Sequence, residues 1–201
     1  LKKVLQIISF LSFNVLMYLC AVGQPFFELL YTSKWNPSVP YFKLFCFVGL
    51  LIPLYTAHTN VFLSKKRSDI FFRVELFSRL IQTIIIVSTI WFSIEILITG
   101  LLVQTIISYI IASFITSRLL NYSIGEQISS LLPNLILSFF VLFINSVLIY
   151  IFQNNSVFLQ LGITLFFTLL IIIVCGRQTK LPAFIDIMDI FDLIGRVRLR
   201  N

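Results

Sequence analysis

The sequence predicts an all-α integral membrane protein. Residues 1–180 form a lobe of six transmembrane helices, and residues 181–201 form a short amphipathic cytoplasmic tail. Three observations predict this. Of 201 residues, 59% are hydrophobic and 11% charged, with a mean hydropathy of +1.02. A soluble domain carries charge on about a quarter of its residues. Apolar runs that reach the ~20 residues needed to cross a bilayer recur along the whole length. These runs are too long for strands and lack the period-two alternation of a membrane barrel.

The first span covers residues 4–31. It carries Asn14, Gln24 and Glu28, and Gln24 and Glu28, four apart, share a helix face. Pro25 between them predicts a kinked or unwound outer half, because proline lacks the N–H that closes a helical turn. A short connection holding Trp35, Pro37 and Pro40 leads to the second span, 41–63, which has Pro53 at mid-depth and His58 and Asn60 beyond it. The third span, 70–92, begins with Arg73, Glu75 and Arg79. The fourth, 94–119, carries Gln104 and Ser108 on one face and Arg118 at its end. The fifth, 128–152, carries Asn134 and Asn145 about three turns apart, with Pro133 beside the first. The sixth covers 157–174. The tail opens at Pro182 and interleaves Asp186, Asp189 and Asp192 with Phe184, Ile187, Met188 and Phe191, the pattern of an interfacial helix.

Charge orients these spans. Of fifteen Lys and Arg residues, only Lys34 and Lys43 fall at the ends of spans on one side. The others fall on the opposite side, at Lys2 and Lys3, between Lys65 and Arg79, at Arg118 and in the tail. The positive-inside rule predicts that this side, with both termini, is cytoplasmic. The net charge of +7 is therefore read as orientation, and nucleic acid is not expected as a partner. Cys20, Cys46 and Cys175 lie in apolar runs without metal-ligand spacing, and His58 stands alone, so neither a metal nor another cofactor is expected. No connection is long enough to house a catalytic domain, which argues against an enzyme.

Polar groups at membrane depth line a cavity or join helices. Gln24, Asn60, Asn134 and Asn145 are open to both readings. Taken together with the prolines, they fit a transporter that reshapes an interior cavity. Lys65, Lys66 and Arg67 read as topology anchors that also touch anionic lipid headgroups. Arg79, about two turns into its helix, either snorkels to the surface or faces a water-filled vestibule, where a guanidinium suits phosphate or pyrophosphate.

Several segments carry a resemblance. Leu30-Tyr31-Thr32-Ser33-Lys34-Trp35 resembles an "LLxGxKW" span end. Gly49-Leu50-Leu51-Ile52-Pro53-Leu54, Asn60, Lys66-Arg67-Ser68-Asp69-Ile70-Phe71 and Val74-Glu75 resemble a "GLxxPL…N…GRSDLFLKLE" stretch. Asn121-Tyr122-Ser123, Glu126-Gln127 and Leu131-Leu132-Pro133 resemble an "INY…EQ…LLP" element. In this order they are similar to the polysaccharide transporters, the O-antigen and exopolysaccharide flippases of the multidrug/oligosaccharidyl-lipid/polysaccharide superfamily. The resemblance covers roughly residues 20–140. Lys66 stands where the family often has Gly, and Ser33 where a Gly is also common.

The resemblance implies a bacterial inner-membrane protein of which this chain is the C-terminal portion, with an N-terminal lobe missing. It implies a lipid-linked oligosaccharide, carried on undecaprenyl pyrophosphate, as substrate and alternating access as mechanism. The polysaccharide polymerase machinery is an implied neighbour in lipopolysaccharide synthesis. Candidate substrate contacts are Arg73, Arg79 and Arg118, with Gln24, Asn60, Asn134 and Asn145 lining. The rival readings are a drug/cation antiporter of the same superfamily, disfavoured by carboxylates that lie only near span ends, and a polytopic polymerase or ligase, disfavoured by short outer connections.

Overall fold

The computed structural model describes residues 1–178, 182–185 and 188; Asp186, Ile187, Asp189, Phe191 and Asp192 of the expected tail helix lie outside them. Among the described residues every regular element is helical. The order is α1 (Lys2–Ala21), α2 (Gly23–Tyr31), a 3₁₀ turn (Ser33–Ser38), α3 (Val39–Ser64), α4 (Ser68–Thr89), α5 (Ile94–Leu120), α6 (Ile124–Ile151) and α7 (Val157–Gln178). Phe184, expected in the tail helix, is helical and packs edge-on against Phe10 of α1.

Five stretches are long and apolar enough to cross a membrane: Lys2–Ala21, Lys34–Ser64, Ile94–Leu120, Ile124–Ile151 and Val157–Gln178. The chain is therefore a multi-pass membrane protein. Helix α4 has the length, at 22 residues, but its charged side chains set it apart from the other five.

The first predicted span is divided. Pro25 cannot bond to the carbonyl of Ala21 and its ring would press on it, so a continuous helix is disfavoured at this point. Helix α1 stops at Ala21, Val22 turns at φ −83°, ψ 10°, and Pro25 falls in the first turn of α2, where its missing N–H costs nothing. Pro53 and Pro133 behave differently. Helices α3 and α6 run through them, which leaves the carbonyls of Gly49 and Ser129 without their usual donors.

The turns are built from local chemistry. Asn121 closes α5 at φ 50°, a conformation asparagine tolerates. Ser123 then opens α6 with a reciprocal cap: its hydroxyl accepts from the Glu126 N–H, and the Glu126 carboxylate accepts from the Ser123 N–H at 2.9 Å. Buried Gln127 donates to the Tyr122 carbonyl at 3.0 Å and accepts from the Ser113 hydroxyl, tying α6 back to α5. These bonds give the Asn-Tyr-Ser and Glu-Gln segments a structural role.

Helix packing runs in the order α4, α5, α3, α1, α6, α7, with α2 resting on α7. The central helix α1 is the most deeply buried of the spanning helices. One apolar cluster joins Leu5, Phe13 and Met17 of α1 to Leu50, Leu54 and Ala57 of α3. A second joins Phe10 to Leu137, Val141 and Ile171, and a third joins Phe62, Val74 and Ala112. Helix α4 lies at the edge, burying only Val74 and Ser78.

Candidate functional site

The most developed polar site lies where α3, α4 and α5 meet. A cavity of about 310 Å³ is lined by Phe45, Val48, Gly49, Ile52 and Tyr55 of α3, by Ser78, Arg79 and Gln82 of α4, and by Leu101, Gln104, Thr105 and Ser108 of α5, so that a polar floor meets apolar walls. Arg79 is the twelfth residue of the 22 in α4, so it sits at mid-helix. Its floor is a buried network. Gln104 Nε2 donates to Ser108 Oγ at 2.9 Å and to Ser78 Oγ at 3.0 Å, and the two hydroxyls lie 2.8 Å apart. Amides and hydroxyls of this kind stay hydrated or pair with one another, because an unpaired one in hydrocarbon is costly.

The charged group is held on two sides. Arg79 Nε donates to Glu75 Oε1 at 2.9 Å, Nη2 approaches the same oxygen at 2.8 Å, and Nη1 donates to Gln82 Oε1 at 2.9 Å. Tyr55 of α3 donates to the other oxygen, Glu75 Oε2, at 2.8 Å. Glu75 thus fixes the guanidinium and ties it to the neighbouring helix. The Arg79 side chain remains 65% exposed. A guanidinium has five N–H groups. Three are engaged here, and two remain for an acceptor.

The other predicted contacts are dispersed. Arg73 lies on the exposed surface of α4, six residues before Arg79 and about 240° around the helix at 100° per residue, away from this cavity. Arg118 stacks over the Phe114 ring at 4.4 Å near the end of α5. Asn60 is exposed on α3. Asn134 is buried and clamps α6 to α1 through the Gln6 carbonyl at 2.9 Å and Ser9 Oγ at 2.8 Å. Asn145 is buried and clamps α6 to α7 through Thr168 Oγ1 at 2.8 Å. Gln24 lines a different cavity, with Glu28, at the far end of α6. Of the turn residues, Arg67 forks onto Asp69 at 3.0 and 3.1 Å, and Lys65 and Lys66 are exposed.

Sequence reasoning paired Gln104 with Ser108 and Glu75 with Arg79 but missed Tyr55, Ser78 and Gln82. The signal for Gln82 was its place three residues after Arg79. Tyr55 and Ser78 carried none, because only the approach of α3 and α5 to α4 makes them lining residues.

Fold and site together define a polytopic helical membrane protein with a fixed cation beside a cavity that has a polar floor. No family model and no solved structure matches the chain. The chain is similar to the lipopolysaccharide biosynthesis protein WzxC of Escherichia coli (strain K12), with 31% identity over 147 residues, covering 68% of this chain and 30% of the relative. It spans less than a third of that relative's length.

Proposed function

We propose that this chain is the C-terminal part of a transporter that flips lipid-linked oligosaccharide repeat units across the bacterial inner membrane, for O-antigen or exopolysaccharide synthesis. The observation that carries the reading is Arg79. A charge at the centre of a membrane helix costs several kcal/mol against lipid, and such residues mark substrate paths. Here the guanidinium is pre-positioned by Glu75 and Gln82, borders a cavity with a polar floor and keeps two donors free. A pyrophosphate, the charged group of an undecaprenyl-linked sugar, accepts two parallel bonds from such a fork. The similarity to a lipopolysaccharide biosynthesis protein supports the same substrate class.

In this reading the protein transports and catalyses no covalent step. Both ends of the chain and the Lys65 to Arg67 turn face the cytoplasm. A second helical lobe completes the cavity on the open side of α4, and the two lobes rock to expose it alternately to either side. The polymerase machinery receives the flipped unit. A drug/cation antiporter needs a carboxylate free to exchange an ion, whereas Glu75 is committed to Arg79 and Tyr55.

The test is surface polysaccharide in cells that depend on this protein. Arg79→Ala abolishes it, Arg79→Lys restores little because an ammonium cannot fork, and Arg73→Ala retains most. Normal polysaccharide from Arg79→Ala at wild-type membrane abundance would sink the proposal.

A further inference from the structure

A second polar cavity, of about 350 Å³, lies between α2, the end of α6 and the start of α7. Its lining includes Gln24, Glu28, Ser146, Tyr150, Gln153 and Gln160. Among these are three amides, a carboxylate, a phenol and a hydroxyl, and none is a cation. The break at Val22 creates it, since α2 is a separate helix that carries Gln24 and Glu28 onto one wall. The carboxylate is held in place: Gln24 Nε2 donates to Glu28 Oε1 at 3.1 Å and Asn36 Nδ2 donates to the same oxygen at 3.2 Å. Gln160 fastens the opposite wall, donating to the carbonyls of Gln153 and Asn155 at 3.3 and 3.0 Å. The cavity sits at the end of the bundle away from the Lys65 to Arg67 turn, because α1 and α6 both run toward it from the end where Lys2 meets Ser129 and Ser130.

We infer that this cavity is a subsite for the uncharged sugar portion of the transported molecule. The inference rests on the proposed flippase reading and adds a place where the glycan, rather than the pyrophosphate, is recognised. A phosphate is excluded by Glu28 with no cation to offset it. An apolar ligand is excluded by the amides, whose desolvation it could not repay. A cation would compete with two amide N–H groups at Glu28 Oε1, and the Glu28→Gln arm below tests for one at Oε2. A polyhydroxylated ring suits the lining, because its hydroxyls both donate and accept, as do amides and a phenol. The Tyr150 ring, exposed at the rim, offers a flat apolar surface for the ring's C–H face.

The experiment compares two substrates in membranes of cells expressing the full-length protein: the complete lipid-linked repeat unit, and a lipid-linked unit cut back to its first sugar. Translocation of each is measured for Gln24→Leu, Glu28→Gln and Tyr150→Phe. The last removes a single oxygen and spares the fold. The expected result is a fall of about tenfold for the complete unit, the effect of losing one or two hydrogen bonds to the glycan, with the single-sugar unit unchanged. Equal falls for both substrates, or no fall for either, overturn the subsite. A loss of sodium dependence in Glu28→Gln that affects both substrates alike also overturns it and marks a cation site. Membranes lacking the protein, run in parallel, separate the two claims: if both substrates move as fast without it, the flippase reading fails by itself.

Discussion

Thr32, Lys66 and Asn121 are the residues other than glycine at positive φ among those described, and each follows the end of a helix. After α3 the arrangement is a Schellman closure. The Lys66 N–H returns to the Leu63 carbonyl at 2.9 Å and the Arg67 N–H to the Phe62 carbonyl at 2.8 Å, with Lys66 at φ 58°. The motif that this stretch resembles has Gly at that position, and a positive φ supplies a physical reason for it. Beside Ser33, where the resembled motif has Gly, the positive φ falls one residue earlier: Thr32 closes α2 at φ 75°, ψ 163°, a region that suits glycine and that a β-branched side chain resists. Thr32→Gly should therefore raise stability by about 1 kcal/mol, net of the entropy glycine adds to the unfolded chain. Lys66→Gly should gain less, because an unbranched side chain resists αL less than a β-branched one, and Asn121→Gly close to nothing. Thermal unfolding in detergent reads the order, and a Thr32→Gly variant that melts below the parent would contradict it.

At the scale of elements, α4 is attached to the bundle chiefly through α5. Gly100 makes the approach possible, since a Cβ there would lie 2.7 Å from Ile85 Cγ2. Ile85 is β-branched and cannot swing that methyl away cheaply. Gly100→Val should cost about 1–3 kcal/mol by overpacking and push α4 off α5, opening the floor formed by Ser78, Gln104 and Ser108. A cysteine pair replacing Ser78 and Ser108, whose hydroxyl oxygens are 2.8 Å apart, reports the approach. Oxidative cross-linking should be efficient in the parent and several-fold weaker with Gly100→Val; equal efficiency would show that α4 is held by other contacts. At the next turn, Ser123→Ala should cost about 1 kcal/mol by removing one arm of the α6 cap, measured as a lowered melting temperature.

For the whole molecule, composition and span length made the helical membrane class and the positions of the spans legible, and Pro25 pointed to the broken first span. The partition of the polar residues was not legible. Spacing tells which side chains share a face of one helix, as with Glu75 and Arg79, but not which helix that face meets. Helix α1 packs between α3 and α6, neither of which directly follows it in the chain, so Asn134 closes onto α1 while Gln24 reaches a cavity at the opposite end. Nor does sequence say what covers α4. That question yields a last prediction. Thr83 lies one turn beyond Arg79 on the same exposed face, and its hydroxyl donates to the Arg79 carbonyl at 2.9 Å. Phe166 is also exposed, 62%, on α7. If the α4 face borders an aqueous path, Thr83→Cys in membranes should react with a water-soluble maleimide many times faster than Phe166→Cys, because a thiol in hydrocarbon neither ionises nor meets the reagent. Equal, slow labelling of the two would place α4 against lipid, leave Arg79 with a charge that hydrocarbon does not tolerate, and remove the basis for a substrate path through this cavity.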